Sequence, residues 1–193
     1  MSLKTVTEAD LPLADRTYGE AKYSIVVGKA LCKVGEKREG ANLVRHGLQA
    51  IRNYFPTDKG STMTSYYGAE LLSWGADALN LAGRKDEAIA VSLEAIRMVE
   101  TTAKGSPEDS NPRLRLISMY ELPGDIESGF DAGTKKMKTT NRAQLLDARR
   151  WYQKSLDTLR VLTERFKFSP VRSQEEMKEV GEKLRQCDAL LAE

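Results

Sequence analysis

The residues able to do chemistry are sparse in this chain. His46 is the single histidine, set between Arg45 and Gly47, and no cysteine or second histidine stands at metal-ligand spacing from it. An imidazole with no neighbouring ligand and no orienting carboxylate makes neither a metal site nor a general base, so His46 reads as a surface or partly packed residue. The acidic residues number 28. They are spread along segments that should face water, and nothing marks a desolvated carboxylate pair for acid–base work. Several glycines fall between Gly124 and Gly133, but without the Gly-x-Gly-x-x-Gly or Walker spacing that cradles a phosphate. The expectation is a chain that is not an enzyme and carries no cofactor or metal.

Two sets of side chains bear on binding. Trp74, Trp151, Tyr66, Tyr67 and Tyr152 could stack on nucleic-acid bases, yet on leucine-rich segments they read as core or inter-helix contacts. Lys22, Lys29 and Lys33, at i, i+7 and i+11, share one helical face. An ordinary solvated face is the plainer account of them. Lys and Arg total 30, so the formal charge is only +2, and no concentrated basic face predicts a nucleic-acid partner. Cys32 and Cys187 each sit in an apolar helical stripe, which suits buried free thiols in a reducing compartment better than a disulfide. No run reaches the roughly 18 apolar residues of a membrane span, and no signal-peptide core follows Met1. A cytoplasmic protein with no membrane partner is expected, with Met1, Ser2 and Leu3 given no structural weight.

The elements that would carry these residues read as helices throughout. After an irregular lead-in over 4–16, with Pro12, the period of Ala21, Ser24, Ile25, Gly28, Leu31 and Cys32 predicts a helix over 18–34, capped by Asp15 or Thr17 and closed by Gly35. A second helix over 37–54 points Gly40, Val44, Gly47, Leu48 and Ile51 inward. A third, with Ser61 at its N-cap, turns Tyr66, Leu72, Gly75, Ala76 and Leu79 inward and ends at Gly83. The fourth runs to about Thr102, with Ala88, Ser92 and Ala95 on one stripe. Small residues there let a neighbouring backbone approach, and Gly28, Gly40 and Gly47 are expected to do the same. Beyond the loop at 104–112, the apolar run from Leu114 to Leu122 suits a helix that Pro123 should kink or interrupt. Residues 130–140 read as an exposed, mobile insertion. Thr140 or Asn141 then caps a long helix with Leu145, Ala148, Tyr152, Ser155, Leu156, Leu159 and Leu162 inward. A last helix over 174–191, with Ser173 and Glu176 as a capping box, is apolar on one face through Met177, Val180, Leu184, Cys187 and Leu191.

Three stripes share one spacing: Gly40, Val44 and Gly47; Ala88, Ser92 and Ala95; Ala148, Tyr152 and Ser155. Each is preceded by a candidate helix with a small residue near its middle, at Val27-Gly28, Gly75-Ala76 and Pro123-Gly124. On these residues, and best on Gly83, Asp86, Glu87, Ala88, Ile89 and Ala95, the chain resembles the tetratricopeptide repeat family. The stripes lie 48 and then 60 residues apart, wider than that family's period of about 34. Ser24, Leu72, Val44 and Ser92 stand where its aromatics belong. In the last third, Gly124-Asp125-Ile126, the run from Asp147 to Leu156 and the run from Arg185 to Leu191 resemble the C-terminal repeat region of bacterial serine/threonine protein kinases, with none of the kinase motifs themselves.

The resemblance implies an all-α fold: a right-handed superhelix of antiparallel helix pairs, a solenoid of about seven helices in one domain over 1–193. Its repeats would fall at about 18–55, 61–102 and 112–166, followed by a capping helix over 174–192. It also implies that Lys22, Lys29 and Lys33 project into a concave groove, with Asp77 and Asn80 on the corresponding face of the next helix. The function it implies is a non-catalytic interaction module or scaffold that binds a protein or peptide, as an appendage or relative of a signalling kinase. The alternative is a structural domain that makes a homodimer.

Overall fold

The computed structural model describes residues 13–54, 62–166 and 169–193. Seven α-helices occupy them: α1 Leu13–Lys33, α2 Lys37–Tyr54, α3 Thr62–Leu81, α4 Lys85–Gly105, α5 Asn111–Ser128, α6 Arg142–Phe166 and α7 Pro170–Ala192. No strand occurs among the described residues; one β-bridge joins Asp131 to Lys136. The all-α expectation holds, and no described helix is long and apolar enough to cross a membrane. The chain divides into two compact units, one containing α1–α3 and the other α4–α7.

In the first unit α1 and α2 cross where neither has a side chain. A Cβ on Gly28 would fall 2.7 Å from the Gly40 carbonyl oxygen, one on Gly40 would fall 2.5 Å from the Gly28 oxygen, and one on Gly47 would fall 2.8 Å from the Ala21 oxygen. The pairing of Gly47 with Ala21 and of Gly40 with Gly28 makes the two helices antiparallel. Ile25, Val44, Leu48, Ile51, Leu71, Leu72 and Leu79 are buried to 1% exposure or less, each contributing about 1.5–3 kcal/mol relative to exposure. Gly83 ends α3 at φ +78°, while Arg84 N–H donates to the Leu79 carbonyl and Gly83 N–H to that of Asn80. Only glycine takes this left-handed position without penalty. α1 starts at Leu13, five residues earlier than its period suggested, so Asp15 and Thr17 lie inside the helix instead of capping it. The proposed cap Ser61 lies outside the described residues.

In the second unit all three residues of each later stripe are buried: Ala88, Ser92 and Ala95 on α4, and Ala148, Tyr152 and Ser155 on α6. α4 runs three residues past Thr102. Lys85 at its start pairs with Glu127 near the end of α5, at 2.9 Å, and Tyr120 of α5 donates to Glu100 at 2.7 Å, so α4 and α5 are antiparallel. The core joins Ile117, Leu145, Ala148, Tyr152, Leu159, Leu162, Val180, Leu184 and Cys187.

Two expectations fail here, at Pro123 and at the start of α7, and one segment proves more structured than its sequence suggests. α5 continues through Pro123 to Ser128. Proline removes one helical hydrogen bond, but Pro123 and Gly124 are both buried, and the Tyr152 ring would lie 2.7 Å from a Cβ on Gly124, so packing on α6 offsets the lost bond. Residues 130–140 are mostly exposed, but Phe130, Asp131, Met137 and Thr139 are half-buried and the start of the segment is closed into a turn. Asp131 Oδ1 accepts from Gly133 and Thr134 N–H, Lys138 pairs with its other oxygen at 2.8 Å, and Ser128 O accepts from Lys138 and Thr139 N–H. Finally, α7 begins at Pro170, and Ser173, inside it, donates to the Ser169 carbonyl at 2.7 Å in place of capping. Asn141 does cap α6, its Oδ1 accepting from Ala143 and Gln144 N–H.

Candidate functional site

α1 and α3 run side by side in the same direction, Tyr18 meeting Tyr67 with ring centroids 5.3 Å apart and Lys29 meeting Asp77 at 2.5 Å further along. This brings two of the sequence-predicted residues, Lys29 and Asp77, into contact. Lys22 Nζ lies 5.8 Å from the Trp74 ring centroid and 5.9 Å from that of Tyr18, a cation–π arrangement that fixes the ammonium over apolar surface. Lys29 and Lys33 line a groove of about 390 Å³ with Ile25, Val26, Ala30 and Trp74. Asn80 is half-buried one turn beyond Asp77 and is not part of the groove lining. The lysine face is therefore less charged than its sequence suggests, because Asp77 neutralises Lys29. His46 is exposed on α2.

The second unit holds a polar cluster that the sequence reading missed. Lys183 of α7 is 5% exposed. Its ammonium reaches Glu121 Oε2 at 2.8 Å and Asp125 Oδ1 at 2.9 Å, both on α5, and lies 4.6 Å from the Phe130 ring centroid. Tyr152 of α6, fully buried, donates its hydroxyl to Asp125 Oδ1 at 2.8 Å and lies 3.0 Å from the Ser128 hydroxyl, which donates to the Gly124 carbonyl. Three helices thus converge on one carboxylate.

Two carboxylates share one ammonium, so the cluster carries a net negative charge in a poorly solvated place. Burial pushes the Glu121 and Asp125 carboxyls up, and Lys183 only partly reverses this. Burial pulls Lys183 down, but the combined attraction of Asp125 and Glu121 outweighs it and leaves the ammonium above its ordinary value. Burial and the Asp125 charge push Tyr152 up as well. The arrangement fastens α5, α6 and α7 together through hydrogen bonds of Lys183 to Glu121 and Asp125 and of Tyr152 to Asp125. Nearby, Cys187 is free and buried, with its thiol pushed up to about 11 chiefly by burial. The one signal that could have found the cluster is register: Lys183 lies three residues after Val180 and four before Cys187, on the apolar stripe of α7.

A larger groove, about 530 Å³, opens on another side of the same unit. Leu116 and Tyr120 of α5 line it, with Ala103 on α4 and Val161 on α6, and Glu100, Lys104, Arg113, Lys154 and Asp157 stand around it. The Tyr120 and Trp151 rings stack with centroids 6.1 Å apart, and Lys154 sits over both, 5.4 and 4.6 Å from their centroids. Trp151 and Tyr152 are therefore helix-packing residues, as their apolar surroundings suggested. Comparison of the chain with protein-family models and with curated proteins found no match.

Proposed function

We propose that the chain is a non-catalytic interaction module of the tetratricopeptide-like kind, its helix pairs stacked as a solenoid, and that it binds a segment of a partner protein along α1 and α3. The observation that carries this reading is the α1–α3 groove: an apolar strip of Ile25, Val26, Ala30 and Trp74 edged by Lys29 and Lys33. Apolar contact with a polar rim is how helical-repeat surfaces hold a peptide. Supporting it, α1 packs antiparallel to α2 through glycines and parallel to α3, the relation that stacked helix pairs require. Asp125 and Tyr152, which lie in two of the runs resembling the kinase-associated repeats, are bonded to each other, in keeping with a relative or appendage of a signalling kinase acting in the cytoplasm. The test is capture of partners by the immobilised full chain, alongside the Val26→Asp/Lys33→Glu variant. Species held by the wild type and lost by an equally stable variant are expected; identical sets would remove α1–α3 as the binding surface.

A second reading, self-association through α1, is favoured by one observation. Tyr23 and Val26 on that helix are 69% and 49% exposed, and Val34 just after it is 75% exposed. Sedimentation of the same two proteins separates the readings, since a concentration-dependent dimer abolished by the double substitution belongs to this one.

A further inference from the structure

The groove on the α4–α7 unit has the form and charge of a second docking site, independent of the α1–α3 surface. α5 contributes Arg113, Leu116 and Tyr120 to it, and α6 contributes Lys154, Asp157, Thr158 and Val161. On each helix these follow i, i+3 or i+4, and i+7, so the trough runs two turns, about 10 Å, along the helix direction. Its lining repeats with the period of a helix face, and a partner helix offering residues at i, i+3, i+4 and i+7 matches it ridge to groove, as an extended strand would not.

The surrounding charges choose the partner. Asp157 accepts from Gln153 at 2.8 Å and pairs with Arg160 at 3.1 Å, whereas Glu100 accepts the neutral Tyr120 hydroxyl and keeps its charge. Arg113 donates to the Asp109 backbone carbonyl and stacks on Phe166 at 5.1 Å, while Lys154 rests on the two aromatic rings. A backbone carbonyl and ring faces hold these two cations in position without themselves adding a negative charge. With Lys104 they set three cations around the apolar floor against the single Glu100 carboxylate, an excess of positive charge.

We propose that this trough binds one face of an amphipathic helix from a partner protein, its apolar side chains seated on Leu116, Tyr120 and Val161 and its flanking carboxylates on Lys104, Arg113 and Lys154. The probe is a synthetic helix-forming peptide with Leu at i, i+3, i+4 and i+7 flanked by Glu, fluorescein-labelled and titrated into the full chain. A second peptide has every Glu replaced by Lys. The Glu peptide is expected to saturate, to weaken with added salt, and to bind about tenfold more weakly to Lys154→Glu and to Val161→Asp. Lys33→Glu, in the α1–α3 groove, leaves its binding unchanged. Melting curves of the variants confirm that each is folded. Equal binding of the two peptides, no saturable binding of the Glu peptide, or a loss caused by Lys33→Glu and not by Lys154→Glu would overturn the proposal. A loss confined to Lys154→Glu and Val161→Asp leaves the α1–α3 reading to its own test.

Discussion

Lys183 of α7 and Asp125 of α5 are 58 residues apart in the chain and 2.9 Å apart in space. The same ammonium also reaches Glu121 at 2.8 Å, and Asp125 also accepts the Tyr152 hydroxyl. A lysine on the inward face of a helix is costly unless its charge is met, and here two carboxylates meet it. The pairing sets the register of α7 on α5, because sliding α7 by one residue would turn Lys183 out of the cluster.

Removing one partner should therefore cost far more than a surface ion pair. Lys183→Met leaves Glu121 and Asp125 facing each other without a cation, and the expected loss is about 3–5 kcal/mol in denaturant unfolding. Lys183→Met with Asp125→Asn and Glu121→Gln restores much of it, since neutral groups no longer need the ammonium. A single variant within about 0.5 kcal/mol of wild type would show that the cluster is solvated and does not secure α7.

The tightly held protons predict a loss of stability in alkali. Cys187 is raised from 9.0 to about 11, so the unfolded chain releases this proton first, and stability falls as pH rises from about 9 to 11, by on the order of 2–3 kcal/mol in total. Lys183, also raised, stabilises fully below its unfolded value and loses that contribution as pH passes its folded one, in the same direction. Thermal midpoints measured between pH 8 and pH 11 should decline, and Cys187→Ala should flatten the first part of the decline. At pH 8 the native thiol should resist alkylation, and rapid modification without denaturant would contradict its burial.

Most of the helix positions could be read from the sequence because burial repeats every 3.6 residues. Gly40, Val44 and Gly47 on α2 and Ala148, Tyr152 and Ser155 on α6 are all buried, as their spacing required. Pro123 could not be read this way, because the rule that proline stops a helix is local, and the compensating contact with Tyr152 comes from another helix. Lys183 was hidden for a related reason. Its residue type points to solvent, its position points inward, and its partners Asp125 and Glu121 lie 58 and 62 residues away. The lysine face of α1 was found, but the neutralisation of Lys29 by Asp77 depends on the parallel course of α1 and α3, which no spacing within one helix encodes.

The ion pair between Lys29 and Asp77 makes the cost of Lys29→Glu depend on salt. Lys29 and Asp77 are 36% and 39% exposed at their side chains, so the pair is worth about 0–1 kcal/mol and is screened by salt. Reversing Lys29 sets two carboxylates side by side and should cost somewhat more than Lys29→Met at low ionic strength. The swap Lys29→Asp/Asp77→Lys should recover the difference. Costs for Lys29→Glu that do not change with salt would mean that the residue acts through packing.

The glycines offer a test in which one substitution has opposite signs at different places. Alanine at Gly28 or Gly40 places a methyl group 2.5–2.7 Å from a backbone carbonyl oxygen, which only a separation of α1 from α2 can relieve, and a loss of about 1–3 kcal/mol is expected. Gly19, on the same α1, has nothing within 4 Å of its Cβ position, and on α7 Gly181 would meet only the Arg185 guanidinium at 3.7 Å. There alanine restricts the unfolded chain and favours the helix, so a gain of about 0.4–1 kcal/mol is expected. Chemical denaturation of the four single variants is sufficient to read both signs. Stabilisation by Gly28→Ala or Gly40→Ala would mean that α1 and α2 do not approach at these residues, and the small-residue stripe would then have no bearing on how the helices pair.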